Sequence, residues 1–338
     1  MDSLKDFKAI IFTTLFLLFS GLFCFILDIF IYADIPASSI DHNEKLIIIN
    51  PGQDFKSFSE RLHKDDIIKE PHKFNLLARI KGYDKKIKAG EYLLSSSMPP
   101  NKIFQIMVGG KVRLYKLTIP EGYSLNQIAS NIAGAGLWKE EEFLRAANDS
   151  SLVHEEGIDA ETFEGYLFPD TYYFPKTITP GMIIFTMVNR FNSVFTSAFK
   201  EQAKKLGLSI HQIVTLASII EKETGDPEER NIISSVFHNR LKKNMRLESD
   251  PTVIYGIKDF DGNIKKIHLE TPTPYNTYLI HGLPTGPIAN PGIKAIEAAL
   301  YPADTDFLYF VSKKDTTHIF STNINDHNKA VRKYQLRK

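Results

Sequence analysis

The sequence predicts an α+β protein with a single N-terminal transmembrane helix, a small β-α module and a larger mixed α/β domain with a helical core. An uncharged N-terminal run long enough to cross a bilayer predicts the first part. A strand–turn–helix pattern that occurs twice predicts the module, and a series of helical patterns in the second half predicts the helical core. A chain of 338 residues has room for more than one domain.

The composition excludes several classes of protein. A charged fraction of 24% with a formal net charge of +1 argues against a nucleic-acid-binding protein, which usually carries a basic excess. The single cysteine, Cys24, excludes an intrachain disulfide framework and a cysteine-rich metal site.

The N-terminal apolar run is interpreted as a membrane anchor. The segment from Ala9 to Leu27 carries no charge, and Lys5 and Lys8 precede it, whereas no Lys or Arg follows until Lys45. Because basic flanks stay in the cytoplasm, we expect a single-pass protein of the cytoplasmic (inner) membrane with its body outside. A cleaved signal peptide is the alternative, but the run is long and no A-x-A-like site follows.

A polar linker, residues 33–44, separates the anchor from a strand–turn–helix pattern, KLIIINPGQDFKSFSERLHKDDII. The pattern returns as YKLTIPEGYSLNQIASNIAGAGL, with Asp54 and Ser124 in equivalent helix N-cap positions. Between the copies we predict a helix near 74–80 and a short strand pair opened by Gly90.

Such a strand–helix unit resembles the LysM module, which binds glycans that contain N-acetylglucosamine. The resemblance covers residues 45–112. A small α+β spacer without glycan affinity is the alternative. We therefore predict three domains: 1–34 for the N-terminus and anchor, 45–112 for the LysM-like module, and 113–338 for the remainder.

The second half of the chain begins with an aromatic segment, FEGYLFPDTYYFP, followed by predicted helices. One helix is expected to begin with Asp226 as N-cap, Pro227 in the first helical position and Glu229 closing a capping box. A strand is predicted at FLYFVS. The predicted helices cover about 179–206, 209–224, 226–243 and 293–299.

Motif searches leave carboxylates as the candidate chemical groups. The sequence contains no G-x-S-x-G, H-E-x-x-H, G-x-G-x-x-G or P-loop motif, and its histidines occur singly. We therefore predict no metal and no cofactor.

Glu221 and Glu223 are the carboxylates that need an explanation, because they end an otherwise apolar helix. At 100° per residue, Glu221 lies on one border of the apolar face beside Ile210 and Val214, and Glu223 lies on the other beside Gln212. Helical geometry does not choose between them, and a helix that simply ends in charge gives the same pattern.

Polar and aromatic residues are concentrated in the predicted loops around this helix. Carbohydrate sites have this composition, because sugar C–H faces stack on rings while hydroxyls need fixed donors and acceptors. The set consists of Tyr166, Asp170, Tyr172, Asn239, Arg240, Asp250, Thr252, Tyr255, Tyr275, Asn276, Thr277 and Tyr278.

Two long runs resemble the MltG (YceG-like) family of membrane-anchored endolytic murein transglycosylases: LASIIEKETGDPEERNIISSVFHNRLKKNMRLESDPTVIYG and ETPTPYNTYLIHGLPTGPIANPG. The aromatic segment, the anchor and the LysM-like unit match as well. The family's catalytic glutamate corresponds to Glu221. Thr285, in place of a common second proline, and His238 before Asn239 are small departures from the family pattern.

The resemblance implies cleavage of the β-1,4 bond between N-acetylmuramic acid (MurNAc) and N-acetylglucosamine (GlcNAc) in nascent strands, giving 1,6-anhydro ends. Glu221 would act as the acid and then as the base, so that the usual pair of carboxylates is not required. An apolar flank of Ile210, Val214 and Ala217 is expected to keep Glu221 protonated.

Six residues are predicted to bind substrate: Asn239, Asp250, Tyr255, Tyr275, Asn276 and Tyr166. Asp250 has capping of a turn as its alternative role, and Glu164, Asp170 and Glu270 are further candidates. The resemblance also suggests peptidoglycan glycan strands and peptidoglycan synthases as partners. A glycan-binding scaffold without activity and a water-using muramidase remain the alternative functions.

Overall fold

A computed structural model of the protein describes residues 2–258 and 260–336. The chain divides into two compact units. The first contains Met1–Tyr115 and Pro175–Thr177, and the second contains Lys116–Phe174 and Ile178–Lys338. The mixed α/β character predicted from the sequence is confirmed.

The first unit begins with a long helix, α1, at Asp2–Tyr32. Its segment Ile10–Tyr32 is long and apolar enough to cross a membrane by length and composition, which confirms the predicted N-terminal apolar helix. Large side chains such as Phe12 and Phe19 are exposed along it, as lipid-facing residues would be.

The C-terminal end of α1 is part of the core of this unit. Ile29 and Ala33 are each only 1% exposed. The hydroxyl of Tyr32 donates to the Glu70 carbonyl at 3.2 Å, and the Asn101 amide donates to the Ala33 carbonyl at 2.9 Å. The helix therefore continues into the folded module.

The segment predicted as a polar linker, 33–44, is held against the module. The Ser38 amide donates to the Ser96 carbonyl at 2.9 Å, and the Ser96 hydroxyl donates to the Asp41 carboxylate at 3.1 Å. Its polar composition reflects these hydrogen bonds rather than a free tether.

The rest of the first unit is a β-α-α-β-α arrangement. The predicted helix near 74–80 is confirmed, but the predicted strand pair at Gly90 is wrong. Residues 90–94 form one strand that pairs antiparallel with the first strand, with Ile47 opposite Tyr92. The first strand alternates, with Ile47 and Ile49 buried, and the second strand is buried except at Leu93, so the pairing places the apolar side chains of both strands in one core. The elements are β1 (Lys45–Ile49), α2 (Phe55–Lys64), α3 (Pro71–Lys81), β2 (Gly90–Leu94) and α4 (Pro100–Gly109).

Aromatic side chains fill the core of the module. Phe74 and Phe104 stack with ring centroids 4.3 Å apart, and Phe55 stacks on both. Asp54 caps α2 by accepting from the Ser57 amide at 2.9 Å, which confirms the predicted N-cap.

The second unit is mainly helical, with two small sheets. β3 (Leu114–Thr118) begins with two residues of the first unit and pairs with β4 (Thr171–Pro175), which ends with one. β5 (Tyr309–Ser312) pairs antiparallel with β6 (His318–Ser321). Ser124 caps α5 (Leu125–Gly134), which confirms the predicted N-cap, and Gln127 completes a capping box. The elements are β3 (Leu114–Thr118), α5 (Leu125–Gly134), α6 (Glu140–Ala147), α7 (Ser150–Glu155), β4 (Thr171–Pro175), α8 (Pro180–Val194), α9 (Ser197–Leu206), α10 (Ile210–Glu223), α11 (Arg230–Lys242), α12 (Asp250–Tyr255), α13 (Lys266–Glu270), α14 (Ile293–Leu300), β5 (Tyr309–Ser312), β6 (His318–Ser321) and α15 (Ile324–Tyr334).

Helix α10 is the centre of the second unit. Ser209 caps it in a capping box with Gln212, which confirms the predicted start. Every residue from Ile213 to Ile220 is buried, because α9, α11, α12 and α14 all pack against the helix. The helix therefore ends with Glu221 and Glu223 at the edge of this core.

Two predicted helix boundaries are wrong. The region 179–206 is two helices, because Thr196 caps α9 by accepting from the Phe199 amide. Helix α11 begins at Arg230 rather than at 226. The Asp226 carboxylate accepts from the Glu228 amide within a turn, and Glu229 accepts from the backbone amide of His318, 2.9 Å away.

Candidate active site

Glu221 is an enclosed carboxyl at the end of α10. Its side chain is 6% exposed. One carboxylate oxygen lies 3.2 Å from Nη2 of Arg230, and the other accepts from the backbone amide of Gly292 at 2.9 Å. Burial raises the pKa of Glu221 and the nearby charge of Glu121 raises it further, whereas the Gly292 amide, Arg230 and Lys222 oppose the rise.

The expected apolar flank of Glu221 is mostly elsewhere. Ile210 is 36% exposed and begins the helix, roughly 16 Å along the axis from Glu221. Val214 packs where Gly165 approaches α10, and only Ala217 lies within one turn of Glu221. Residues on the same face of a helix can be far apart along its axis, so Ile210 and Val214 do not flank Glu221. The raised pKa of Glu221 comes from general burial instead.

Glu223 is the second enclosed carboxyl at this helix end. The Ser249 hydroxyl donates to it at 2.5 Å. Burial raises the pKa of Glu223 to about 7, with the charge of Asp250 adding to the rise and that of Arg240 opposing it. Burial alone therefore does not distinguish Glu221 from Glu223.

Glu164, a further candidate from the sequence, is a buried hub. Its carboxylate accepts from the Leu125 amide at 3.0 Å, from the Asn290 side-chain amide at 2.9 Å and from the Tyr255 hydroxyl at 2.9 Å. Burial raises its pKa to about 7, although these donors oppose the rise. Gly165, with φ of +88°, allows the chain to pass close to Pro287 directly after this hub.

The hub fixes the loop that reaches Glu221. Asn290 accepts from the Leu167 amide at 2.8 Å and donates to the Tyr123 carbonyl at 2.9 Å. The Asn290 carbonyl accepts from the Gly122 amide at 2.9 Å. Because Gly292 follows two residues later, these bonds set the position of its amide on Glu221.

Two tyrosines predicted to bind substrate are brought together near Glu164. The rings of Tyr255 and Tyr275 meet edge to face, 4.7 Å between centroids. Tyr275 and Glu164 line a cleft of about 370 Å³. His211 also lines it, and this ring accepts from the Tyr166 hydroxyl at 3.0 Å while its other nitrogen donates to the Thr285 carbonyl at 3.0 Å.

Of the other predicted binding residues, Asn239 lies in α11, Asp250 begins α12 and Asn276 lies in a loop, and the two asparagines mainly hold backbone. The amide of Asn239 donates to the carbonyls of Thr305 and Phe307, and that of buried Asn276 donates to three carbonyls in 268–271. Exposed Asp250 is the first residue of α12 and accepts from the Tyr278 hydroxyl at 2.7 Å.

Three residues around Glu221 were not predicted from the sequence: Arg230, Gly292 and Glu121. Arg230 also lines a cleft of about 400 Å³ that includes Phe199 and Tyr301. In the internal repeat, Glu121 stands where the first copy has Pro51. A carboxyl present in only one copy is the one sequence signal that could have pointed to Glu121. Within the described residues, no group of three His, Cys, Asp or Glu side chains could hold a metal ion.

Comparison with known proteins shows the family. The model of the YceG-like family matches residues 47–333. The chain belongs to the YceG-like family. A YceG-like protein of known crystal structure, from Listeria monocytogenes, is 34% identical and superposes with a TM-score of 0.60, covering 85% of this chain and 99% of that one.

Two curated relatives of the family carry a functional name. A Bacillus subtilis protein named endolytic murein transglycosylase is 34% identical over 325 residues, which cover 90% of this chain and 89% of the relative. A Streptococcus pneumoniae protein of the same name is 30% identical over 86% of this chain and 59% of its own length.

Proposed function

We propose that the protein is an endolytic peptidoglycan lytic transglycosylase that cleaves the MurNAc-β-1,4-GlcNAc bond within glycan strands. The observation that carries this proposal is the enclosed carboxyl of Glu221, with its raised pKa, between the Gly292 amide and Arg230. Curated relatives from two genera are named for this activity. Cleavage of nascent strands would limit their elongation.

The reaction needs one group that gives a proton and then takes one back. Protonated Glu221 donates its proton to the glycosidic oxygen, and the electrons of the C1–O bond pass to that oxygen. Positive charge develops at C1, and the C6 hydroxyl of the same muramyl ring attacks this carbon. Glu221, now a carboxylate, takes the hydroxyl proton as the O6–C1 bond closes the 1,6-anhydro ring.

The surroundings of Glu221 suit both steps. Burial favours the protonated form that the first step needs. Arg230 and the Gly292 amide stabilise the carboxylate that forms when the proton leaves. Burial thus raises the pKa of Glu221, while Arg230 and the Gly292 amide limit the rise, so that neither the acid nor the carboxylate is excluded.

The glycan is proposed to lie against the aromatic side chains of the second unit. Tyr275, at the cleft, offers a ring for stacking on a sugar face, and Tyr166 and Tyr255 support its walls. The exposed carboxylate of Asp250 is proposed to accept a hydrogen bond from a sugar hydroxyl. Asn239 and Asn276 are proposed to act by holding the loops that carry these groups.

The membrane setting is part of the proposal. Residues 1–34 would anchor the protein in the cytoplasmic membrane with the N-terminus inside, and 113–338 would form the catalytic domain outside. The two helices between antiparallel strands support a LysM-like, glycan-binding module at 45–112. Peptidoglycan synthases are the proposed protein partners.

Digestion of purified sacculi by the full-length protein in detergent tests this function. We expect wild type to release fragments whose ends are one water lighter than hydrolytic ends, and Glu221→Gln to lower the rate by about 10²–10⁴-fold, because the amide cannot donate a proton as an acid. Glu223→Gln tests the other carboxyl of the helix end, and Glu228→Gln is a matched exposed control.

Each alternative gives a different product. A muramidase would leave ends one water heavier than the anhydro form. A scaffold would bind sacculi and release nothing. If Glu221→Gln keeps the wild-type rate while Glu223→Gln loses it, the acid is Glu223.

A further inference from the structure

Glu121 reaches the same peptide unit as Glu221. The Gly292 amide donates to Glu221, and the Glu121 carboxyl occupies the space where a Cβ on Gly292 would be. Gly292 has φ of −77° and ψ of 171°, which any residue can adopt. Its lack of a side chain therefore serves the close approach of Glu121 rather than the backbone conformation.

The turn that carries Glu121 is fixed beside the end of α10. The Gly122 amide donates to the Asn290 carbonyl at 2.9 Å, and Nζ of Lys222 donates to the Gly122 carbonyl at 3.3 Å. A Cβ on Gly122 would lie 3.5 Å from Cγ of Glu221. The turn therefore lies close beside the proposed catalytic acid, with room for little more than one methyl group between them.

The two carboxyls differ in their surroundings. Glu221 is enclosed and bound by Arg230, whereas Glu121 is exposed. Across residues 2–258 and 260–336, Glu121 forms no ion pair with a Lys, Arg or His side chain. The site therefore combines an enclosed acid with an open, uncompensated carboxylate at its surface.

We propose that Glu121 is a second catalytic carboxyl, which contacts the muramyl ring and stabilises the positive charge that develops during bond cleavage. This inference rests on the proposed function. As the Glu221 proton passes to the glycosidic oxygen, positive charge develops at C1 and the ring oxygen. The negative charge of the Glu121 carboxylate stabilises it electrostatically. Glu121 exchanges no proton, so Glu221 still takes the proton from the C6 hydroxyl.

A pH profile separates this role from a structural one. The charged groups that act on Glu221 are Glu121, Arg230 and Lys222, and only the charge of Glu121 raises its pKa. Neutralising Glu121 therefore lowers the pKa of Glu221. The alkaline limb of the kcat profile should move to lower pH, because Glu221 loses its proton earlier.

The first experiment compares Glu121→Gln with Glu228→Gln. Glu228 is an exposed carboxyl in the turn between α10 and α11. In full-length protein acting on sacculi, we expect Glu121→Gln to lower kcat by about 10²-fold and to shift the alkaline limb, while Glu228→Gln changes neither. Glu121→Asp should recover part of the rate. A Glu121→Gln protein with wild-type kcat and an unmoved alkaline limb would overturn the proposal.

Gly292→Ala provides an independent test, because the added methyl group displaces the Glu121 carboxyl. We expect this change to reduce kcat in wild type and to add little when Glu121→Ala is already present. Equal losses in both backgrounds would show that Gly292 acts without Glu121.

The mass of the product and the rate of its release test two different hypotheses. The mass of the wild-type ends tests the proposed transglycosylase function, and the ratio of the Glu121→Gln rate to the wild-type rate tests Glu121. Hydrated ends together with a slow Glu121→Gln protein would reject the first and keep charge stabilisation by Glu121. A wild type that releases nothing rejects both.

Discussion

Three enclosed carboxyls, Glu164, Glu221 and Glu223, distinguish the second unit at the scale of single residues. Burial raises the pKa of each, to about 7 for Glu164 and Glu223. Their hydrogen-bond partners differ. The Glu164 carboxylate accepts from donors in three segments, whereas the Glu221 carboxylate is bound by an arginine and a backbone amide. The first arrangement holds loops, and the second suits proton transfer.

Glu164 is expected to make stability depend on pH. Its pKa rises from 4.5 to about 7 on folding, so the folded state binds more protons across this window. The free energy of unfolding should therefore fall by up to about 3 kcal/mol as pH rises through the window. Glu164→Gln removes this contribution, and its stability relative to wild type should improve from pH 5 to pH 8, on top of a constant loss from altered hydrogen bonds.

Urea unfolding followed by tryptophan fluorescence measures this effect. Trp138, the single tryptophan of the chain, lies in the second unit and donates to the Ile178 carbonyl at 2.6 Å. Glu141→Gln changes an exposed carboxyl and serves as the control. Parallel pH profiles for Glu164→Gln and wild type would contradict the prediction.

The sequence predicts Glu221 as the acid through the family motif that it resembles, but it did not predict the groups around this residue. Glu121, Glu221, Arg230 and Gly292 come from four separate segments, and the bonds of Asn290 bring the first and last of them together. A pattern along the chain contains periodicity and caps. It does not contain these long-range approaches.

At the scale of elements, α1 is unusual because a helix long and apolar enough to cross a membrane also supplies core residues at its end. Asp28 forms a salt bridge with Lys73 at 2.9 Å, and the next turns bury Ile29, Tyr32 and Ala33. The first unit therefore depends on residues that an anchor-deletion variant would remove.

We predict that a soluble chain beginning at residue 35 has a destabilised first unit, whereas one beginning at residue 28 does not. Loss of Ile29 and Tyr32 removes apolar burial worth roughly 1.5–3 kcal/mol for each large side chain. It also leaves the Asn101 amide without the Ala33 carbonyl.

Hydrogen exchange at the buried helices α3 and α4 compares the two chains, with α10 as an internal reference in the second unit. We expect faster exchange in α3 and α4 of the shorter chain and equal exchange in α10. Equal protection of α3 and α4 in both chains would show that α1 contributes nothing to this core.

Helices that carry their own start signals were predicted well from the sequence. The predicted N-caps at Asp54 and Ser124 and the predicted helix start at 209 depend on local residues, and all three are observed. The start of α11 was missed because Glu229 binds His318, a residue far along the chain. Strand β2 was assigned to the wrong partner for the same reason, since β1 lies a long way before it.

At the scale of the whole molecule, the proposed activity requires the second unit to be outside the membrane. The basic residues Lys5 and Lys8 precede the apolar segment Ile10–Tyr32, and acidic residues follow it. A glycan-cleaving domain on one anchor, with its module joined directly to that anchor, would act on strands near the bilayer surface.

Single cysteines test this orientation. Cys24 is the sole cysteine and lies within the apolar segment, so Cys24→Ser gives a cysteine-free background. In that background, Ser3→Cys marks the N-terminal side, and Glu141→Cys marks an exposed position of the second unit. We expect a membrane-impermeant maleimide to label intact cells at position 141 but to reach position 3 only after lysis, because lysines before an anchor stay inside. Labelling of position 3 in intact cells would reverse the orientation, and a mature chain without position 3 would show a cleaved signal sequence.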